Sequence, residues 1–180
     1  MSDAVFTRKD TPEGVVFEVT PAPQSAGYTF KWVALAGALL ILALMMASAS
    51  FVFPLIGLVL AGLCCLPIRN DMAKRKAAML IVGRNELSVN GTPYPAQGIA
   101  ELYLKEPQSA GRVVYGNGLQ VAGSEIGAAI DRSHNRRCLS LVLRMRDNSR
   151  PTEIIFGLTP EAGMALLNDI GFALGLSKTT

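Results

Sequence analysis

Three patterns of apolar and polar positions follow one another along this chain. Up to about residue 30 they are mixed and interrupted by Pro12, Pro21 and Pro23. From Trp32 to Ile68 come 37 positions without one charged side chain. Beyond Ala77, short apolar runs alternate with polar positions and finally give way to a helical period.

The uncharged tract is the strongest signal. As one straight helix it would reach roughly 55 Å at about 1.5 Å per residue. A bilayer's hydrocarbon core is only about 30 Å thick and takes about 20 residues to cross. Ser48, Ser50 and Pro54 sit near the middle, where a reversal belongs. The tract therefore predicts a transmembrane hairpin over residues 31–68, with helices at about 31–47 and 54–68. Small residues recur four apart at Ala34 and Ala38, at Ala43 and Ala47, and at Gly57 and Ala61. Such spacing lets membrane helices approach closely. Ala34, Ala38, Gly57 and Ala61 are the expected packing positions, between the two helices or toward a second subunit. Ion paths are marked by intramembrane polar groups, and spans this free of them argue against a channel or transporter.

The first 30 residues read as a tail in which Val15–Val19 forms a strand only if a sheet edge is available, because the prolines break any helix. Residues 77–176 read as a separate domain. Runs at Met79–Val82, Glu86–Val89, Ile99–Lys105, Arg112–Tyr115, Cys138–Arg146 and Thr152–Phe156 predict strands. Asn90-Gly91 is a strong hairpin signal. Along Ile99–Lys105, Ile99, Glu101, Tyr103 and Lys105 fall on one face, with Ala100, Leu102 and Leu104 on the other. Thr159-Pro160-Glu161 opens a helix, with Thr159 as N-cap and Pro160 at the first helical position. Met164, Leu167, Ile170 and Leu174 supply its apolar stripe, and Gly175 ends it. The predicted fold class is α+β: a membrane hairpin, then a curved antiparallel sheet or partial barrel closed by a C-terminal helix. Residues 177–180 form a short tail.

The segment NELSVNGTPYPAQGIAELYL resembles the early strands of bacterial pleckstrin-homology-like (PH-like) domains. LSLVLRMRDNSRPTEIIFGLTPEAGMALLNDIGFAL resembles their closing hairpin and C-terminal helix. The resemblance covers about the last 100 residues and is one of pattern, without a catalytic motif. It implies a non-enzymatic binding or scaffolding module with no cofactor. With the hairpin, it implies an inner-membrane protein of bacterial type, an accessory subunit of a larger complex.

Charge refines this picture through its placement, since the net value over 180 residues is only +3. Arg69, Lys74, Arg75 and Lys76 follow the second apolar helix as a basic juxtamembrane linker (69–76), and Lys31 precedes the first. Basic residues collect on the cytoplasmic side. Both termini are therefore expected in the cytoplasm, with the four basic residues at the inner leaflet, where anionic lipid attracts them. A signal peptide fits poorly, because the tract begins late, is too long and is followed by a basic stop. The run DRSHNRR places Arg132, His134, Arg136 and Arg137 in a predicted loop, as contacts for lipid headgroups or an acidic partner, or as a solvated loop.

Other chemistry is thin. The chain has three cysteines and one histidine and no CxxC pair, so no metal site is expected. Gly116-Asn117-Gly118 lacks the third glycine and the lysine of a phosphate loop and reads as a turn. Asn90-Gly91-Thr92 matches a glycosylation acceptor, a use that a cytoplasmic location removes. Basic residues and aromatics do not interleave as nucleic-acid binding requires. The enzymatic alternative needs Glu101, Tyr103 and His134 to be brought together by folding. The expected partners are the lipid bilayer and a membrane protein or a second copy of the chain.

Overall fold

A computed structural model describes residues 3–12, 14–48, 50, 52–107, 129–147 and 150–175. The predicted strand at 112–115, the Gly-Asn-Gly turn, most of the Gly- and Ala-rich stretch 120–129, the turn residues Asn148 and Ser149, and the tail 177–180 lie outside them. The architecture is α+β: two long apolar helices, antiparallel sheets and a C-terminal helix. Two compact units divide the chain. One comprises the described residues of Met1–Pro23, Arg75–Ser109 and Asn135–Thr180, and the other those of Gln24–Lys74 and Ala110–His134.

The first unit is built on two sheets. Strands β1 (Val5–Thr11), β2 (Gly14–Thr20), β3 (Ala78–Val82), β4 (Glu86–Val89) and β5 (Thr92–Pro95) pair in that order. Strands β6 (Ile99–Lys105), β7 (Leu139–Met145) and β8 (Thr152–Leu158) form the second sheet. The strand expected at Val15–Val19 finds its edge, since β2 pairs with β3, Phe17 opposite Leu80 and Val19 opposite Ala78, and the rest of the expected tail is corrected by β1, which pairs with β2. Phe17 and Val19 point into the core, 0 % and 2 % exposed, which anchors the pair. The β4–β5 turn is as read, since Asn90 and Gly91 both have positive φ (50° and 83°), the backbone a type I′ turn demands. Asn90 Oδ1 also accepts from the Met79 amide at 2.9 Å, tying the turn to β3.

Two irregularities correct the simple alternation. Between Ile99 and Glu101 the β6–β7 register slips, pairing Ile99 with Met145 and Glu101 with Arg144. One extra residue reverses the facing of what precedes it. Ile99 is therefore buried in the same core as Leu102 and Leu104, not on the face of Glu101. On β8, Leu139 pairs with Leu158 and Ser140 with Phe156, leaving Gly157 unpaired at φ 91°. Glycine occupies this conformation without a Cβ penalty.

Helix α4 (Pro160–Ala173) begins as the sequence indicates. Thr159 Oγ1 accepts from the Ala162 amide at 3.4 Å, and Pro160 needs no donor in the first turn. Its buried face is Gly163, Leu166 and Ile170, with Leu167 and Leu174 only partly covered and Met164 exposed. The expected stripe was therefore rotated by part of a turn. Gly163 explains the shift, because a Cβ there would meet the Leu104 methyls at 3.1 Å. The helix seats on its smallest residue.

The second unit holds α1 (Ala26–Met45), a 3₁₀ turn (Met46–Ser48), α2 (Val52–Lys74) and, among the described residues, helical positions 129–135 (α3), of which 129–134 belong to this unit. α1 starts five residues before its predicted limit and gives way to the 3₁₀ turn after Met45, while α2 exceeds its predicted limits at both ends. α2 continues through Pro67 to Lys74, so Arg69 and Lys74 lie on the helix and not in a linker. Lys74 in the last turn suits the negative end of the helix dipole.

Candidate functional site

The hairpin is the feature with the most to explain. α1 and α2 pack along a seam of small residues: Ala36 and Ala43 from α1, with Gly57, Ala61 and Cys64 from α2. Trp32 and Leu39 pack beside it, extending the α1 series to positions 32, 36, 39 and 43, the spacing of one helical face. The contact is antiparallel, since Ala36 clusters with Ala61 and Cys64 while Gly57 lies against Leu39 and Ala43. Gly57 has no room for a side chain, because a Cβ would run into that of Ala43. Two of the four predicted packing positions, Gly57 and Ala61, are in this seam. Ala34 and Ala38 are exposed on the opposite side of α1. Both faces of α1 carry alanines, and only the partner helix selects between them.

Large apolar side chains cover the outside. Leu35, Ile41, Leu42, Leu44 and Met45 on α1, and Leu55, Leu58, Val59 and Leu63 on α2, are each at least 45 % exposed. Only 11 % of the most apolar stretch of each helix is buried. Both helices are long and apolar enough to cross a membrane. With about 1.5 Å per residue, the 20 and 23 residues of α1 and α2 reach roughly 30 and 35 Å.

At the base of the hairpin the chemistry turns polar and aromatic. Lys31, the last charge before the apolar tract, donates to both carboxylate oxygens of Asp131 at 2.8 and 2.9 Å. Tyr28 and His134 stack with centroids 3.7 Å apart and planes within 6°. Trp32 meets Tyr28 edge-on at 6.3 Å. His134 Nε2 lies 3.7 Å from Asp71 Oδ1, close enough for an ion pair when the imidazole is protonated. His134 is 6 % exposed, which corrects its expected place in an open loop. The segment is helical, and its i to i+3 spacing puts Asp131 and His134 on the side that meets α1.

The remaining predicted residues differ in their exposure. Arg69, Lys74, Lys76, Arg132 and Arg136 are exposed. Arg137 is half-buried in the sheet unit, 3.7 Å from Asp3. Arg75 is not a free headgroup contact. Its Nη1 donates to the carbonyls of Ala22 (2.6 Å) and Arg137 (2.9 Å), and its Nη2 to Cys138 Sγ (3.1 Å). The guanidinium also lies over the Phe156 ring at 5.2 Å. The unpaired Gly157 makes this approach possible, since a Cβ there would meet Arg75 Nη1 at 3.0 Å. The sequence reading placed Arg75 at the inner leaflet and passed over Gly157, whose signal is a glycine at the end of a strand run. Glu101 of β6 is 3.5 Å from Arg144, and Glu101 and Tyr103 belong to the sheet unit while His134 belongs to the hairpin unit.

On the sheet surface, Lys9 donates to Glu18 at 2.7 Å across β1 and β2. That hydrogen bond and the lysine charge hold the Glu18 carboxyl below the usual carboxylate range.

No family model, curated protein or solved structure matches this chain.

Proposed function

We propose that this chain is a non-enzymatic integral membrane protein whose hairpin anchors a PH-like binding domain at the membrane surface. One observation carries the reading: the hairpin turns its large side chains outward and its small ones inward. In water, an apolar surface of this extent is a liability unless something covers it. In hydrocarbon it costs nothing, and close packing of small residues then holds the helices together. The placement of Lys31 before the tract and of Arg69, Lys74 and Lys76 after it supports cytoplasmic termini. Two antiparallel sheets followed by an amphipathic helix support the PH-like assignment, which continues to rest on the sequence resemblance. Anchoring confines such a domain to two dimensions and raises its effective concentration toward a membrane-bound partner. The location that fits is a bacterial inner membrane, with an accessory role in a larger complex.

Carbonate washing of membranes containing the full chain tests the anchor, and reporter fusions at each end test the topology. Retention in the pellet with both reporters cytoplasmic is expected. Release into the supernatant, or reporters on opposite sides, sinks the reading. A second reading, an oligomer assembled through the hairpin, draws on Ala34 and Ala38, which are exposed beside Gly37, where an added Cβ would meet nothing. Crosslinking in native membranes from Cys substituted at Ala38 separates the oligomer from a solitary anchor.

A further inference from the structure

On the membrane reading, on which this inference rests, the apolar lengths of α1 and α2 set how deep the hairpin reaches. α1 carries Tyr28, Lys31 and Trp32 near its start, and α2 carries Arg69, Asp71 and Lys74 near its end. In an antiparallel pair these fall at the same end, the base. What remains for hydrocarbon is 32–45 on α1 and 52–68 on α2, roughly 21 and 25 Å at about 1.5 Å per residue. The 3₁₀ turn Met46–Ser48 adds about 6 Å to the first limb, at about 2.0 Å per residue. A bilayer's hydrocarbon core is about 30 Å thick, so both limbs fall short of its far side, and tilt shortens them further.

The tip also lacks the groups that a water-facing turn carries. No charge lies between Lys31 and Arg69, and from Met46 to Leu55 only Ser48 and Ser50 bear a hydroxyl. Met45, Met46, Val52 and Leu55 present exposed apolar side chains there. Helix ends leave amides and carbonyls open, and water ordinarily satisfies them. At the start of α2 the donors are closed internally. The Val52 amide donates to Ser50 Oγ and the Phe53 amide to the Ser50 carbonyl, both at 3.3 Å. Pro54 has no amide hydrogen. Val52, Phe53 and Pro54 thus leave no donor for water. At the end of α1 the Met46 amide donates to the Leu42 carbonyl, and the chain tightens into its 3₁₀ turn, which uses further end carbonyls. An unsatisfied backbone group at membrane depth costs several kcal/mol, and these contacts remove that cost. We infer that the hairpin is re-entrant. It enters and leaves through one face of the membrane, and its tip around Met46 and Val52 stops against the acyl chains beneath the far headgroups, short of the water beyond.

The test uses the full chain in phosphatidylcholine vesicles, and flotation is read first. Ala47→Cys places a thiol on a residue exposed at the tip, and the wild type accounts for Cys64, Cys65 and Cys138. A membrane-impermeant maleimide is added outside the vesicles. It reacts with thiolate, which forms in water and is suppressed in hydrocarbon. In dioleoyl vesicles Ala47→Cys should gain no labelling over the wild type. In dimyristoleoyl vesicles, whose shorter chains bring the far headgroups down to the tip, the added thiol should react about tenfold faster or more. Met46→Cys, at the neighbouring exposed position, repeats the measurement should Ala47→Cys misfold. Equal reactivity of the added thiol in the two bilayers, high or low, overturns the re-entrant tip and leaves the anchor standing. A chain that does not float with vesicles overturns both.

Discussion

The two units of this protein bury opposite kinds of side chain. In the sheet unit, Phe17, Leu80, Leu87, Leu141, Leu143, Leu158, Leu166 and Ile170 are all less than 2 % exposed. In the hairpin unit the buried seam is Ala36, Ala43, Gly57, Ala61 and Cys64, and leucines of the same size as those in the sheet core lie outside. The sheet unit is arranged for water, where burying apolar area is the main driving force. On the proposed membrane reading the hairpin meets a medium as apolar as leucine, in which only close contact and van der Waals packing distinguish one face from another. The same residue type therefore has opposite consequences in the two places.

Truncating equivalent leucines puts the contrast at greatest risk. Leu143→Ala, at 0 % exposure in the sheet core, should cost about 2–5 kcal/mol of sheet-unit stability through lost burial and a cavity. Leu58→Ala, at 67 % exposure on α2, should leave that transition where it was. Chemical denaturation of the full chain in detergent, followed by near-ultraviolet signals of the sheet unit, measures both. Equal losses would end the comparison.

Next in size is Arg75→Ala. It removes charge-assisted hydrogen bonds to two carbonyls, so about 2 kcal/mol should be lost by the same assay. Arg75→Lys should recover only part, because an ammonium lacks the planar fork that reaches several acceptors at once.

Adding volume to the hairpin inverts the first test. Gly57→Leu should cost about 1–3 kcal/mol by overpacking against Ala43, whereas Gly62→Leu faces open space and should be neutral. Thermal melting of helical signal in detergent compares them. A tolerated Gly57→Leu would mean that the seam is not closely packed.

The smallest expected effect is on the sheet surface. The Glu18 carboxyl should titrate below an ordinary glutamate by NMR, and Lys9→Ala should return it upward. Because the folded value is depressed, the contribution of this pair to stability is present above the unfolded carboxylate range. It is lost as pH falls through the folded value. An unchanged Glu18 midpoint in Lys9→Ala would remove the pair from the account.

Much of the fold could be read locally because the signals are local. Asn90-Gly91 dictates its turn through positive φ, Thr159-Pro160 starts α4 by capping, and alternation marks β4. What could not be read depended on a distant partner. The edge on which the Val15–Val19 strand depended is β3, some 60 positions later, and Val5–Thr11 becomes a strand by pairing in turn with β2. Of the candidate site, the apolar tract, its small residues and Lys31 at its border were legible. The docking of Asp131 and His134 was not, since the charged heptapeptide DRSHNRR reads as a solvated loop until Lys31 and Tyr28 are placed beside it.

By itself the amino-acid order determined where α4 begins, which stretch carries no charge and that Asn90-Gly91 reverses the chain, because these follow from backbone sterics and side-chain periodicity within a few residues. Tertiary structure alone decided that Ala36 and Ala43, and not Ala34 and Ala38, face α2, and that Ile99 crosses to the core at a bulge. It also decided that Arg75 is enclosed by the carbonyls of Ala22 and Arg137. Each of these is a choice between locally equivalent faces or conformers, and the energy that separates them comes only from atoms far away in the chain.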